Sequence, residues 1–340
     1  MSEGTDERAT SRARFLGGAA VLAGMAAGAG ALAREGKSAD GRSYVAGNFM
    51  LDLDGVKSGF LKSVDGGGIK ADVIEEPAGE DYYAKKHIGQ PKYEEFEIQI
   101  GAAMSKAVYD WISTSWQGSH TRKSGSVIAA DFQLNAVAQR DFFDALLTEV
   151  TIPAADAGSK DPAYMTLKFA PELTRKGKPS GGKLSGPGKG EQKQWLPSNF
   201  RLTIGKLDCS KVSKIDSFTI KQTVATDDVG SERDYAKEPG KLEFPNLSIT
   251  MSETGIADWE AWHEDFVIQG NNGQESEKNG SLVFLSSNRA DELLEIKFFN
   301  LGIFKLAPDK AEANSDQVKR WTAELYCERM EFVYKAGATG

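Results

Sequence analysis

Two stretches of this chain, NFMLDLDGVKSGFLKSVDGGGIKADV from Asn48 and NFRLTIGKLDCSKVSKIDSFTIKQTV from Asn199, run in one register. At a single offset of 151, Asn48 meets Asn199, Phe49 meets Phe200, Leu51 meets Leu202, Asp65 meets Asp216, Ile69 meets Ile220, Lys70 meets Lys221 and Val73 meets Val224. The register continues through Gly89 and Gly240, Ile98 and Ile249, and Trp111 and Trp262. After a short insertion Gly125 matches Gly280, Phe142-Phe143 matches Phe298-Phe299 and Pro153 matches Pro308. A register held this long identifies a tandem duplication, so one architecture has to satisfy both copies. A chain of 340 residues with 40% apolar residues has material for two cores.

Each copy reads as strands around one helix. FEIQI alternates Phe96, Ile98 and Ile100 with Glu97 and Gln99, the pattern of a half-buried strand, and FPNLSITM repeats it. Between such strands, Ala107, Trp111 and Ile112 recur at helical spacing, as do Ile256, Trp259, Trp262 and Phe266. The expected class is mainly β: two small barrel or sandwich domains at 43–170 and 196–336, each with one packed α-helix. Residues 171–195, rich in Pro, Gly, Ser and Lys without apolar period, read as a solvated linker.

Charge excludes some functions. The net charge of −8 divides into +1 over 1–42, −6 over 43–170, +4 over 171–195 and −7 over 196–340. Two acidic bodies joined by a basic strap offer no concentrated Lys/Arg face for a nucleic acid. No catalytic, cofactor or metal constellation is legible. His87, His120 and His263 lack ligand spacing, Ser119-His120 lacks an orienting carboxylate, and GPGKG at 186–190 lies between no strand and helix. The expectation is therefore no enzyme and no small-molecule substrate. Cys209 and Cys327 either pair in an oxidising compartment or are two small buried thiols.

At the N-terminus, Arg12 and Arg14 precede an uncharged run from Phe15 to Ala33 that closes on Ala31-Leu32-Ala33. That is a signal-like n-region, h-region and cleavage site over 1–33, followed by a short linker at 34–42. The segment resembles a twin-arginine export signal, with Ala13 between the arginines, and implies an exported protein; an uncleaved anchor and a cytoplasmic location are the alternatives.

The order of the NF.LDLDG strand, the GGGIKADVIEE strand, a polar loop ending GQPKY, EEFEIQIG, a VYDWI helix and RKSGSVIAADF resembles the T4-like bacteriophage tail tube protein family. The type VI secretion tube protein shares that fold. The resemblance covers about 43–170 well and 196–334 more weakly. It implies non-enzymatic subunits that form six-membered rings stacked into a hollow tube. The duplication and the export-like leader both depart from the family pattern. The resemblance also implies that the loops 75–92 and 226–241 stack ring on ring, through Glu75, Glu76, Asp81, Tyr82, Tyr83, Lys85, Lys86, Asp228, Arg233, Tyr235 and Lys237. Six domains at two per chain give a ring of three chains; six chains in two stacked rings are the alternative, because roughly 25 flexible residues reach about 25–30 Å. The other function classes are an exported ligand- or glycan-binding barrel and a cytoplasmic tube subunit of a prophage or injection particle.

If the leader is cleaved after Ala33, the intact mass of protein recovered from the envelope or medium corresponds to residues 34–340; a mass that retains Met1 contradicts cleavage.

Overall fold

The computed structural model describes residues 47–77, 79, 82–179, 181–187, 195–227, 235–310 and 319–335. The signal-like segment and the linker at 34–42 lie outside them. In the first half the strands are β1 (Asn48–Leu53), β2 (Val56–Gly66), β3 (Ile69–Glu76), β4 (Lys85–Tyr93), β5 (Phe96–Ile100), β6 (Lys123–Ala130), β7 (Ala136–Ile152), β8 (Ala155–Asp156), β9 (Met165–Ala170) and β10 (Leu173–Gly177), with helix α1 (Lys106–Trp116) before β6. The second half holds β11 (Phe200–Ile204), β12 (Val212–Ile215), β13 (Phe218–Asp227), β14 (Ala236–Glu243), β15 (Leu247–Ser252), helix α2 (Ala257–His263), β16 (Lys278–Leu285), β17 (Glu292–Pro308) and β18 (Arg320–Tyr334).

Alternation decides which faces turn inward. Along β5, Phe96, Ile98 and Ile100 are buried while Glu97 and Gln99 are half-buried. Such strands close into a six-stranded barrel in the order β7-β6-β1-β2-β5-β9, with β9 returning to β7. A barrel this narrow is filled by its own side chains. Phe169 lies 5.1 Å from Phe96, 4.9 Å from Phe142 and 5.6 Å from Trp111 between ring centroids. Helix α1 turns Val108, Tyr109, Trp111 and Ile112 to the same core.

The second sheet takes the same neighbours in the same order, β11-β16-β17-β18-β15-β12, but β11 does not pair with β12 and the sheet stays open. Its registers coincide with those of the barrel: Phe96 faces Phe169 where Leu247 faces Leu325, and Glu149 faces Lys168 where Lys305 faces Glu324. One long strand, β18, does the work of β9 and β10 together. The first half breaks that strand at Pro171, which has no N–H to give a ladder.

The linker expectation is therefore corrected in part. Leu173–Gly177 pairs with Gln139–Phe143, Leu184 is buried among Met50, Ile128, Ala130 and Ala136, and Trp195 is buried 5.0 Å from Phe284. Three apolar residues spread over this polar segment give no readable period, yet Leu184 and Trp195 are buried and Leu173 is half-buried in a paired strand.

At Gly66 (φ +83°) β2 ends, and the chain passes so close to β5 that a Cβ would sit 1.9 Å from the Glu95 carbonyl oxygen. Only glycine fits there, and the turn releases β3 and β4 from the barrel as a separate two-stranded hairpin.

Phe169→Ala removes the ring shared by Phe96, Phe142 and Trp111 and lowers unfolding free energy by about 3–5 kcal/mol. Tyr82→Ala, at a residue 99% exposed, changes it by less than about 0.5 kcal/mol. Urea unfolding of both variants checks the contrast.

Candidate assembly interface

The two halves join edge to edge. Strand β13 of the second half adds to β7 of the first, Phe218 opposite Ile152, Thr219 opposite Thr151, Ile220 opposite Val150 and Lys221 opposite Glu149. The barrel thus extends into the β13–β14 hairpin as one nine-stranded sheet. Side chains follow the ladder: Thr151 and Thr219 hydroxyls lie 2.9 Å apart, and Glu149 takes Lys221 at 3.5 Å and Lys168 at 3.1 Å.

A polar collar surrounds the ladder. The Arg122 guanidinium donates to the Lys237 carbonyl at 2.6 Å and pairs with Glu238 at 3.3 Å and Glu172 at 3.5 Å. The Lys237 N–H donates to Glu172 Oε1 at 2.9 Å, and His120 Nδ1 and Gln222 Nε2 meet at 2.5 Å. Burial lowers the pKa of the Lys237 ammonium, although Glu95 and Glu172 pull it the other way.

Helix α1 supplies the apolar part. Tyr109 lies 5.5 Å from Phe332 and 4.8 Å from Tyr334 of β18, and Trp116 lies 5.4 Å from Phe332. The Tyr109 hydroxyl donates to the Ala102 carbonyl at 2.7 Å, and burial drives its pKa far above the ordinary phenol range. A third, shorter contact pairs β8 with β12.

Tyr93 ties the β3–β4 hairpin to the seam, its carbonyl accepting from Lys237 Nζ at 3.4 Å and its hydroxyl from Arg175 at 3.1 Å, but the hairpin pairs with no further strand among the described residues. It brings Glu75, Glu76, Lys85 and Lys86 together: Glu75 pairs with Lys86 at 2.5 Å, Glu76 lies 4.0 Å from His87, and Asp72 pairs with Lys92 at 2.5 Å. Exposed pairs of this kind hold little energy but fix register. Tyr82 and Tyr83 stand edge to face at 5.4 Å, both exposed. The second loop differs. Lys237 lies in the seam with the first half and Tyr235 beside it, lining a charged cleft of about 550 Å³ with Lys70, Glu94, Glu95 and Glu172; neither stands on a free rim. Asp81, Asp228 and Arg233 lie outside the described residues.

Sequence reasoning gives no contact role to Tyr109, Phe332, Ile220 and Gln222. Their apolar or neutral character marks burial, and nothing local marks which body buries them. The two cysteines are free thiols, correcting the pairing option. Cys327 donates to the Phe299 and Arg329 carbonyls, and burial pushes its pKa up to about 11.

Against known proteins, the family model described as T4-like virus tail tube protein gp19 matches residues 45–173. No curated protein matches. Among solved structures, the chain is similar to the sheath–tube complex of an extracellular contractile injection system (PVC) in its extended state, at 16% identity over 40% of this chain and 88% of that one, TM-score 0.32. The tube-terminating cap of the anti-feeding prophage gives 18% identity over 40% and 88%, TM-score 0.35. Hcp1 from Flavobacterium johnsoniae gives 17% over 39% and 93%, TM-score 0.24. The family match spans β1 to the start of β10, that is, the closed barrel with its hairpin and helix α1.

Proposed function

We propose that this chain is a self-assembling structural subunit of a tube-like ring, exported from the cytoplasm, with no chemistry of its own. The observation that carries the reading is the β7–β13 ladder, in which one tube-type half already holds the other as an edge-to-edge neighbour. Elements of a closed ring need two unlike edges, one to give a strand and one to accept it. In this reading three chains supply six halves that alternate around the ring. The side-by-side ladder favours this over two stacked rings of six chains, which would set the halves one above the other. The exposed Tyr82 and Tyr83 and the Glu75–Lys86 pair at the tip of the β3–β4 hairpin then serve contacts between successive rings, where paired charges set register.

A ligand- or glycan-binding role finds less support. The barrel interior is occupied by Phe96, Phe142 and Phe169, and Trp111, Trp116, Trp259 and Trp262 are buried rather than presented to a sugar face.

Native mass spectrometry of the smallest stable particle tests the reading. Three chains with threefold symmetry agree with it; six chains with true sixfold symmetry replace the alternating ring with stacked rings, and a monomer at all concentrations removes the assembly reading.

A further inference from the structure

We propose that one chain captures the next by repeating its internal seam: the β3–β4 hairpin of one copy adds to the open edge of β17 in a second copy, with Ile69 opposite Leu306. This rests on the assembly reading above and specifies its contact.

The two hairpins are built alike. Lys70 faces Lys92 where Lys221 faces Glu243, Val73 faces Ile88 where Val224 faces Pro239, and both ladders shift register one residue before that valine. Their surroundings differ. Ile220, docked on β7, is 1% exposed, whereas Ile69 at the matching place is 48% exposed. Val73 and Ile88 continue the exposed apolar stripe, and among the described residues no further strand pairs with β3. Exposed edge strands with apolar side chains are templates for strand addition.

The acceptor is the far end of β17. Strand β7 is flanked there on both sides, by β9 and by β13. On β17, pairing with β16 ends at Leu301, and from Ile303 to Pro308 β18 is the one neighbour among the described residues. Residues 305–308 take the places of 149–152 in these ladders, so the slot that β13 fills on β7 is open on β17. Transferring the observed register puts Ile69 opposite Leu306 and Lys70 opposite Lys305. This last pair sets like charges together, and each lysine arrives with its own glutamate, Glu94 for Lys70 and Glu324 for Lys305.

The flanking contacts transfer as well, with the chemistry changed from apolar to charged. Tyr109, which touches Phe332 inside the chain, has Glu260 at its place on α2, and Phe332 has Lys176 on β10. Arg122 and Glu238, paired inside the chain, are replaced by Glu277 and His87. Glu260 and Lys176 are complementary in charge, while Glu277 is already held inside its own chain by the Tyr326 hydroxyl at 2.7 Å and the Asn300 amide at 2.6 Å. Glu260 borders a cleft of about 430 Å³ with Leu306 and Trp321, at the end of β17 where the incoming hairpin would lie. The two sides of the contact are unlike, so it propagates head to tail and closes when the rotation permits.

A chain carrying both Ile69→Cys and Leu306→Cys tests the contact. Mild oxidation of assembled particles is expected to give disulfide-linked multimers in denaturing gels without reductant, and neither single variant nor the unmodified chain, with its native Cys209 and Cys327, does so. Independently, Glu260→Lys raises the concentration needed for assembly by about tenfold, and adding Lys176→Glu restores it. If particles form but the double-cysteine chain does not cross-link and the charge swap does not restore assembly, this contact is overturned while the ring reading stands. If the unmodified chain forms no particle, both fall.

Discussion

The ladder between Glu149–Ile152 and Phe218–Lys221 is the contact on which the rest of the molecule depends. It joins the two halves through one sheet and places α1 against the end of β18. It also gives buried partners to Ile220 and Gln222 on a hairpin that would otherwise be solvated. Backbone hydrogen bonds at a sheet edge are non-selective. Selectivity therefore comes from the collar, where Arg122 reads the Lys237 carbonyl, Glu172 and Glu238 together. A fork of donors satisfied at three acceptors fixes the hairpin's position more tightly than any single exposed ion pair.

The two halves differ where their neighbours differ. Where β13 lies on β7, the chain reads Ser217-Phe218-Thr219, and Phe218 and the Thr219 hydroxyl both find partners. At the matching place before β3 it reads Gly66-Gly67-Gly68, which frees the hairpin from its own barrel. Glu149 and Lys168 in the first half become Lys305 and Glu324 in the second, an exchange that keeps the local pair but reverses the charge offered to a neighbour.

Much of this was legible in the chain. Period-two alternation located β5 and β15, the Trp111 and Trp262 spacings located the helices, and the constant offset foretold matching registers. The strap is not legible because Leu173, Leu184 and Trp195 are too sparse to form a pattern, although the first lies in a paired strand and the other two are buried. Lys237 reads as a rim charge because its sequence neighbours are polar; its burial comes from Tyr93 and Glu172, well over fifty residues away. Ile69 and Ile220 open the same Ile-Lys-x-x-Val pattern, and one is exposed while the other is buried. The shared pattern cannot distinguish them, because the difference lies in what precedes it and in the neighbouring body.

Hydrogen exchange at single-amide resolution, comparing dilute chain with assembled particles, tests the central claim most directly, since pairing of a strand edge slows exchange of its amides. The account predicts that amides 219–221 are protected in both states, while those of Gly68–Lys70 and Lys305–Ala307 that face the new ladder become protected only on assembly. Particles in which those amides exchange as fast as in the dilute chain would contradict it.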